Sequence, residues 1–223
     1  MDIVAINGSP HGPKGTTGSL LSEAAKAAEA AGATVATLVV SDYQVNPCRA
    51  CDVCHRTGSC PIDDDFHRFK DALLAADGII LASPNYLSSV SAQLKAVMDR
   101  CCGLLHCQVL RGKHAAAIVT SGGGGEEQVQ EYVLGFLRNM GCWTVGAAGA
   151  PAGMLADPAT RPAALQAAAK LGADLVEAVS AGTTYPEQQA QRSAFAQRMK
   201  QLVIARSAEW TYEADYWRSR NGS

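Results

Sequence analysis

The sequence lacks a strong charge of either sign, and it lacks long hydrophobic runs. Its formal net charge is -2 over 223 residues, so no basic surface for nucleic acid or an anionic membrane is indicated. No apolar run approaches the roughly 20 residues that a transmembrane helix needs, and the N-terminus has neither the basic region nor the cleavage site of a signal peptide. We therefore expect a cytoplasmic protein that binds neither nucleic acid nor membrane.

Two familiar nucleotide-binding motifs are also missing. The segment GSPHGPKGTTGS, residues 8–19, is rich in glycine but does not match the nucleoside-triphosphate motif G-x-x-x-x-G-K-[ST]. It does not match the dinucleotide fingerprint G-x-G-x-x-G either, because Ser9 and Pro10 follow the first glycine. These mismatches exclude the two nucleotide-binding motifs that most often follow a strand as a glycine-rich loop.

The same loop has the residues of a phosphate site. It follows a short apolar strand, 2–7, and precedes a helix whose free N–H groups and dipole favour an anion. Its hydroxyls, with His11 and Lys14, suit a terminal phosphomonoester such as the phosphate of FMN. A glycine-rich turn that binds no ligand is the alternative at this stage.

Strands and helices alternate along the chain. The predicted strands are 2–7, 34–40, 78–83, 114–121 and 142–147, and the predicted helices are 16–31, 63–76, 89–105, 126–140 and 158–179. Five repeats of this pattern predict an α/β fold, a flavodoxin-like three-layer sandwich with a parallel sheet in the order 2-1-3-4-5. We assign residues 1–180 to this domain and 181–223 to a C-terminal helix with an aromatic tail.

Three loops should meet beyond the carboxyl ends of the strands, where such sheets bind ligands. They are residues 9–17, 84–89 and 121–125. The first can bind a phosphate, and the other two can enclose and hydrogen-bond a flat ring. Tyr86 is open to two readings, contact with the ring or packing in the core.

A cysteine-rich loop, residues 41–65, carries a second potential site. Cys48, Cys51, Cys54 and Cys60 form C-x2-C-x2-C-x5-C, which is close to the ferredoxin spacing for an iron-sulfur cluster. A zinc site and a loop of four reduced thiols without metal are the alternatives. His55 is a further candidate ligand, although a lone loop histidine is expected to be solvated.

The other four cysteines show no ligand spacing. Cys101, Cys102, Cys107 and Cys142 are expected to be small core residues.

The C-terminal part of the chain is predicted to be helical. Residues 187–215 are predicted to form one long helix that ends in four aromatic residues, Trp210, Tyr212, Tyr216 and Trp217. These aromatics require a cover, either the parent domain or another subunit near its ligand.

These segments resemble the flavodoxin-like NAD(P)H-dependent FMN reductases and, within them, the iron-sulfur flavoproteins. The resemblance covers residues 3–121 through GSPHGPKGTTGSLL, CRACDVCHRTGSCPIDDDF and SPNYLSSVSAQLKAVMDR. It implies FMN-phosphate contacts from Ser9, His11, Thr16, Thr17 and Ser19, ring contacts from Ser83, Pro84, Asn85, Tyr86, Ser88, Gly122 and Gly123, and a 4Fe-4S cluster on Cys48, Cys51, Cys54 and Cys60. His11 and Thr16 stand where arginine and asparagine are usual in the family.

The resemblance implies an FMN-dependent oxidoreductase or electron-transfer flavoprotein. With a cluster, a ferredoxin-like donor would supply electrons. Without one, NAD(P)H would be used to reduce flavin, quinone or another small acceptor. A homo-oligomer, dimer or tetramer, is expected. No catalytic acid or base is assigned, because the flavin does the chemistry. The rival reading is a non-enzymatic zinc-binding interaction module with the same fold.

Overall fold

The computed structural model describes residues 1–220. Its strands are β1 (Asp2–Asn7), β2 (Thr34–Val39), β3 (Gly78–Pro84), β4 (His114–Ser121) and β5 (Trp143–Pro151). Its helices are α1 (Thr16–Ala30), α2 (Val53–Thr57), α3 (Phe66–Ala75), α4 (Ala92–Arg100), α5 (Cys102–His106), α6 (Glu126–Asn139), α7 (Ala152–Ala156), α8 (Arg161–Ala181), α9 (Pro186–Ala205) and α10 (Thr211–Ser219). Short 3-10 helices lie at Gly12–Lys14 and Val40–Asp42.

The five strands form one parallel sheet in the order β2-β1-β3-β4-β5. This confirms the predicted flavodoxin-like order. The order reverses between β1 and β3, so the carboxyl ends of these two strands flank the crevice where such sheets bind ligands. The loops after β1, β3 and β4 all lie at this edge.

Each face of the sheet is buried under helices, because successive side chains of a strand point to opposite faces. Ile3 and Ala5 of β1 belong to a core cluster that includes residues of α1 and α8. Val4 and Ile6 belong to the opposite cluster, which includes residues of α3, α4 and α6. Burial on both faces explains why the central strands β3 and β4 are apolar runs rather than alternating ones.

The C-terminal residues form two helices that pack on the domain. Gln188 of α9 hydrogen-bonds both backbone groups of Thr144 in β5. Trp210 and Trp217 are buried, and the Trp217 indole N–H donates to the carbonyl of His106. The parent domain therefore covers both tryptophans, which answers the question that the sequence left open. Tyr212 remains half exposed.

Several predicted elements differ in the structure. The single helix over 187–215 is wrong, because the chain turns between Ala205 and Thr211 to bury Trp210. The predicted helix 89–105 is two helices, α4 and α5, and it starts later because residues 86–89 form a tight turn. The predicted helix 158–179 is α8, preceded by the separate short α7, and the cysteine-rich loop contains the short helix α2.

Two predictions about single side chains are also corrected. His55 is not solvated but buried, with 5% of its surface exposed, because α10 packs against α2 and covers it. Cys102 is only half buried and lies beside His106, whereas Cys101, Cys107 and Cys142 are core residues as expected. No helix within residues 1–220 combines the length and the hydrophobicity that a membrane span requires.

Candidate functional site

The loop after β1 is shaped by its own polar groups. The Ser9 N–H donates to the side-chain oxygen of Asn7 over 2.9 Å, and the Ser9 hydroxyl accepts from the His11 N–H. Asn7 and Ser9 are buried, while His11 is exposed. Helix α1 begins at Thr16 without a side-chain cap, so its first N–H groups have no partner from a capping side chain. This leaves an anion-binding end of a helix beside a hydroxyl-bearing loop.

Hydrogen bonds fasten the loops after β1, β3 and β4 to one another. The Ser91 hydroxyl donates to the Gly8 carbonyl over 2.6 Å, and the Thr17 and Thr120 hydroxyls lie 2.6 Å apart. The backbone N–H of Asn85 donates to the Thr120 carbonyl. The three loops that the sequence predicts to meet therefore do so, at the carboxyl edge of the sheet.

The loop after β3 contains strained backbone. Leu87 and Ser88 both have positive φ, 50° and 61°, in a turn closed by two hydrogen bonds between Tyr86 and Ser89. Positive φ is uncommon for residues other than glycine and concentrates at ligand sites. Tyr86 is exposed at 43% and Leu87 fully, so this turn presents its apolar side chains to solvent.

The four cysteines of the cysteine-rich loop come together in the fold. Cys48, Cys51, Cys54 and Cys60 all line one cavity of about 250 Å³, together with Cys102. Cys48 and Cys51 are exposed, and all four thiols are free. Positive φ values at Ala50 and Asp52 let the backbone wind between the cysteines.

A buried ion pair fixes both ends of this loop. The Arg100 guanidinium of α4 makes two hydrogen bonds to the Asp64 carboxylate, at 2.9 and 3.2 Å, and donates to the Asn46 carbonyl. Both charged side chains are 1% exposed. Burial opposes the charged carboxylate, but hydrogen bonds from Arg100 and the backbone lower the pKa of Asp64 below its usual value. Arg100 thus holds residues before Cys48 and after Cys60 in place.

A buried histidine pair lies against the same loop. The Nδ1 atoms of His55 and His106 lie 2.5 and 3.0 Å from opposite oxygens of the Glu213 carboxylate. Trp210 packs against both rings, with centroid distances of 4.5 and 5.1 Å. Burial lowers the pKa values of both histidines, but hydrogen bonds to Cys102 and Glu213 outweigh it and raise them. The C-terminal helix α10 therefore places a carboxylate, that of Glu213, beside the cysteine-rich loop.

Comparison with known proteins gives the family. A family model described as NADPH-dependent FMN reductase matches residues 1–154. An iron-sulfur flavoprotein of Methanocaldococcus jannaschii is 39% identical over 138 residues, which is 61% of this chain and 71% of that protein. The chain belongs to the family of NADPH-dependent FMN reductases and iron-sulfur flavoproteins. An iron-sulfur flavoprotein of Methanosarcina thermophila is 36% identical, over 48% of this chain and 58% of its own length.

Solved structures share the fold of this FMN reductase family member. An NAD(P)H:quinone oxidoreductase from Methanothermobacter marburgensis superposes with a TM-score of 0.64 at 17% identity, over 78% of this chain and 96% of that chain. The apo form of an NADH:FMN oxidoreductase has a TM-score of 0.59 at 23% identity, over 84% and 92%. Identities this low show the fold alone.

The loops of this family member fit FMN. Family membership supports FMN binding, and two observations in the structure agree with it. Asn85 Oδ1 is buried without a hydrogen-bond partner among residues 1–220, which is an acceptor ready for a ligand N–H. A Cβ at Gly15 would lie 2.9 Å from the His11 Cβ and 3.3 Å from the Ser9 hydroxyl, so glycine there lets the loop fold closely beside that hydroxyl.

The residues predicted to contact FMN differ in their exposure to solvent. Ser9 and Thr17 are buried, Ser19 is partly buried, and Thr16, Tyr86, Ser88, Gly122 and Gly123 are exposed. The buried Ser83 hydroxyl already accepts from the Ser91 N–H and donates to the Pro84 carbonyl. These assignments remain predictions.

Sequence reasoning missed several residues that build the two sites. Asn7, Ser91 and Thr120 hold the loops around the expected FMN position. His106 and Glu213 lie beside the cysteine loop. Thr120 could have been noticed as a hydroxyl at the carboxyl end of an apolar strand. Glu213 gave no local signal, since it lies within a charged helix.

Proposed function

We propose that this chain is an FMN-dependent electron-transfer oxidoreductase that binds FMN at the loops after β1, β3 and β4 and a 4Fe-4S cluster through Cys48, Cys51, Cys54 and Cys60. The observation that carries the proposal is the gathering of all four cysteines around one cavity in a member of a flavoprotein family. Four thiolates on one loop are the donor set of such a cluster. Zinc sites more often use separated cysteine pairs.

When bound, FMN exchanges a hydride or single electrons and the cluster exchanges one electron at a time. The protein's part is to bind and orient. The N-terminus of α1, with Ser9 and Thr16, would hold the phosphate of FMN, and Asn85 Oδ1 would accept a hydrogen bond from the ring. The turn at Tyr86 and Leu87 would cover the ring with apolar surface.

The proposed electron donor is a ferredoxin-like protein, and the proposed acceptor is a small molecule such as a quinone or flavin. A cluster that carries single electrons suits a one-electron donor, whereas a hydride from NAD(P)H passes directly to a flavin. The similarity of this chain to iron-sulfur flavoproteins supports a cluster on the four cysteines.

The test is the cofactor content of anaerobically purified protein. We expect about one FMN per chain, together with about four iron ions and about four acid-labile sulfide ions. Cys51→Ser should lose iron and sulfide but keep FMN, whereas the control Cys142→Ser, which changes a buried core thiol, should keep all three. Colourless wild-type protein with stoichiometric zinc would refute the proposal and support the non-enzymatic zinc module instead.

A further inference from the structure

In the pair His55 and His106, only one ring nitrogen of each side chain bonds the Glu213 carboxylate. Each imidazole of His55 and His106 uses Nδ1 toward its own oxygen of Glu213, whose side chain is fully buried. A carboxylate on one ring nitrogen fixes the tautomer and leaves the other nitrogen, Nε2, as the lone-pair donor. One carboxylate orients both rings here, and it comes from another part of the chain.

The remaining ring nitrogens have only weak partners, a thiol and a distant carboxylate. His55 Nε2 lies 3.7 Å from Asp52 Oδ1, too far for a hydrogen bond. His106 Nε2 lies 3.7 Å from the Sγ of Cys102. Ligand atoms of His55, Cys102 and His106 all lie within 4.8 Å of one another. In a tetrahedral zinc site, bond lengths of about 2.3 Å to sulfur and about 2.0 Å to nitrogen separate these ligands by about 3.5 Å, so the most distant pair would approach by about 1 Å on binding.

The donor atoms of the three side chains also suit a divalent ion. Two imidazole nitrogens and one thiolate are a donor set for zinc and similar ions.

We propose that His55, Cys102 and His106 bind one divalent ion of the zinc type, with Glu213 as the positioning residue that orients both histidines. Its ligands are distinct from the four cysteines, although His55 and Cys102 also line the cavity on which those cysteines gather. Three protein ligands leave one coordination position for water.

The proposed ion would join three separate parts of the chain. His55 lies in α2, Cys102 and His106 in α5, and Glu213 in α10. Binding to this site would therefore stabilise the packing of the C-terminal helix on the cysteine-rich loop. A ligand that binds only the folded state raises its stability by an amount that grows with the logarithm of the ligand concentration divided by the Kd.

The experiment measures zinc in protein that keeps its FMN and iron. The wild-type chain is treated with one equivalent of zinc, freed of excess by gel filtration and analysed for zinc and iron. We expect one zinc per chain, two nitrogen ligands and one sulfur ligand by zinc X-ray absorption, and a higher thermal unfolding midpoint with zinc.

Variants locate the ion. His106→Asn keeps a side-chain N–H for Glu213 but removes Nε2, so zinc affinity should fall at least tenfold while iron and sulfide stay. Cys102→Ala should do the same. The controls are His67→Ala, at an exposed histidine, and Cys101→Ala, at the neighbouring core thiol, and both should keep zinc. Glu213→Gln should weaken zinc binding by about 10- to 100-fold.

Three results would overturn the proposal. They are a wild-type protein that takes up no zinc, a zinc spectrum with four sulfur ligands, and iron lost together with zinc in folded His106→Asn protein, which would make these residues part of the cluster site. The zinc X-ray absorption spectrum of the wild-type protein tests the ligand set even if a variant does not fold. Cys51→Ser separates the two proposals, because it should lose iron and keep zinc.

Discussion

At the scale of single residues, the site is built by polar side chains buried in an otherwise apolar molecule. The Asn7 and Ser91 side chains each bond a backbone group of the loop after β1, and the Thr120 hydroxyl lies 2.6 Å from the Thr17 hydroxyl at the start of α1. Because a buried polar group without a partner costs free energy, each of these residues holds its loop in one arrangement. The expected FMN position is thus fixed by residues beside it as well as by those that would touch it.

The Ser9 hydroxyl can be tested against FMN affinity. Ser9→Ala removes one donor to the phosphate, and we expect a Kd for FMN that is roughly 10- to 100-fold higher, since a hydrogen bond to a charged group contributes about 1.5–3 kcal/mol. Fluorescence titration of the apoprotein measures it. Ser22→Ala, at an exposed serine further along α1, should leave the Kd unchanged. Equal affinity of both variants would show that Ser9 does not bind the phosphate.

The Arg100 and Asp64 ion pair can be tested by unfolding. Arg100→Met leaves Asp64 buried without its partner, so the free energy of unfolding should fall by about 3–5 kcal/mol in urea denaturation. Arg68→Met breaks the exposed pair with Asp65 and should cost no more than about 1 kcal/mol. Similar losses in the two variants would contradict the role given to Arg100.

The same pair predicts a pH dependence. The pKa of Asp64 is lower in the folded state than its unfolded value of about 3.9. Its contribution to stability is therefore complete above that unfolded value and is lost as the pH falls toward the folded pKa. Asp64→Asn should reduce the slope of unfolding free energy against pH below about pH 4, whereas Asp63→Asn in the same loop is the control.

At the scale of elements, close helix packing depends on glycine. A Cβ at Gly172 of α8 would lie 2.0 Å from the Ala24 carbonyl oxygen of α1, whereas a Cβ at Gly135 of α6 would meet nothing closer than 3.9 Å. Helices α1 and α8 cover the same face of the sheet. Their approach at Gly172 leaves no room for a side chain, and backbone atoms cannot move aside without separating the helices.

These two glycines form a matched pair for mutation. Gly172→Ala should lower the free energy of unfolding by about 1–3 kcal/mol through overpacking. Gly135→Ala should raise it by up to about 1 kcal/mol, because alanine has the higher helix propensity. Thermal unfolding of both variants gives the comparison. A neutral Gly172→Ala would mean that α1 and α8 are further apart than in this structure.

At the scale of the whole molecule, the C-terminal helices complete the cysteine site and leave the FMN loops alone. Glu213 and Trp210 contact His55 and His106, and the Thr211 hydroxyl donates to the Arg56 carbonyl. The loops expected to bind FMN belong to the first 126 residues. The family match, residues 1–154, likewise ends before α8.

A chain ending at Ala205 tests this division. Without α10, we expect FMN affinity close to that of the full chain, because the phosphate loop and its partners are intact. Labelling of the reduced chain with a thiol reagent should become faster at Cys54, which lines one cavity together with Tyr212 and Tyr216 of α10. Cys142, in the core, is the internal control. Unchanged labelling at Cys54 would contradict the docking of α10.

The sequence by itself determined the sheet order, the glycine-rich loop between β1 and α1, and the grouping of four cysteines on one loop. These depend on patterns within short segments, namely alternating apolar runs and helices, glycines before a helix, and cysteines within 13 residues of one another. Only the tertiary structure decided how the tail packs, and with it the surroundings of His55 and Cys102. Glu213 meets His55 across 158 positions and His106 across 107, and no local periodicity encodes a contact at such separation. It arises because burying Trp210 and Trp217 turns the chain back onto the cysteine loop.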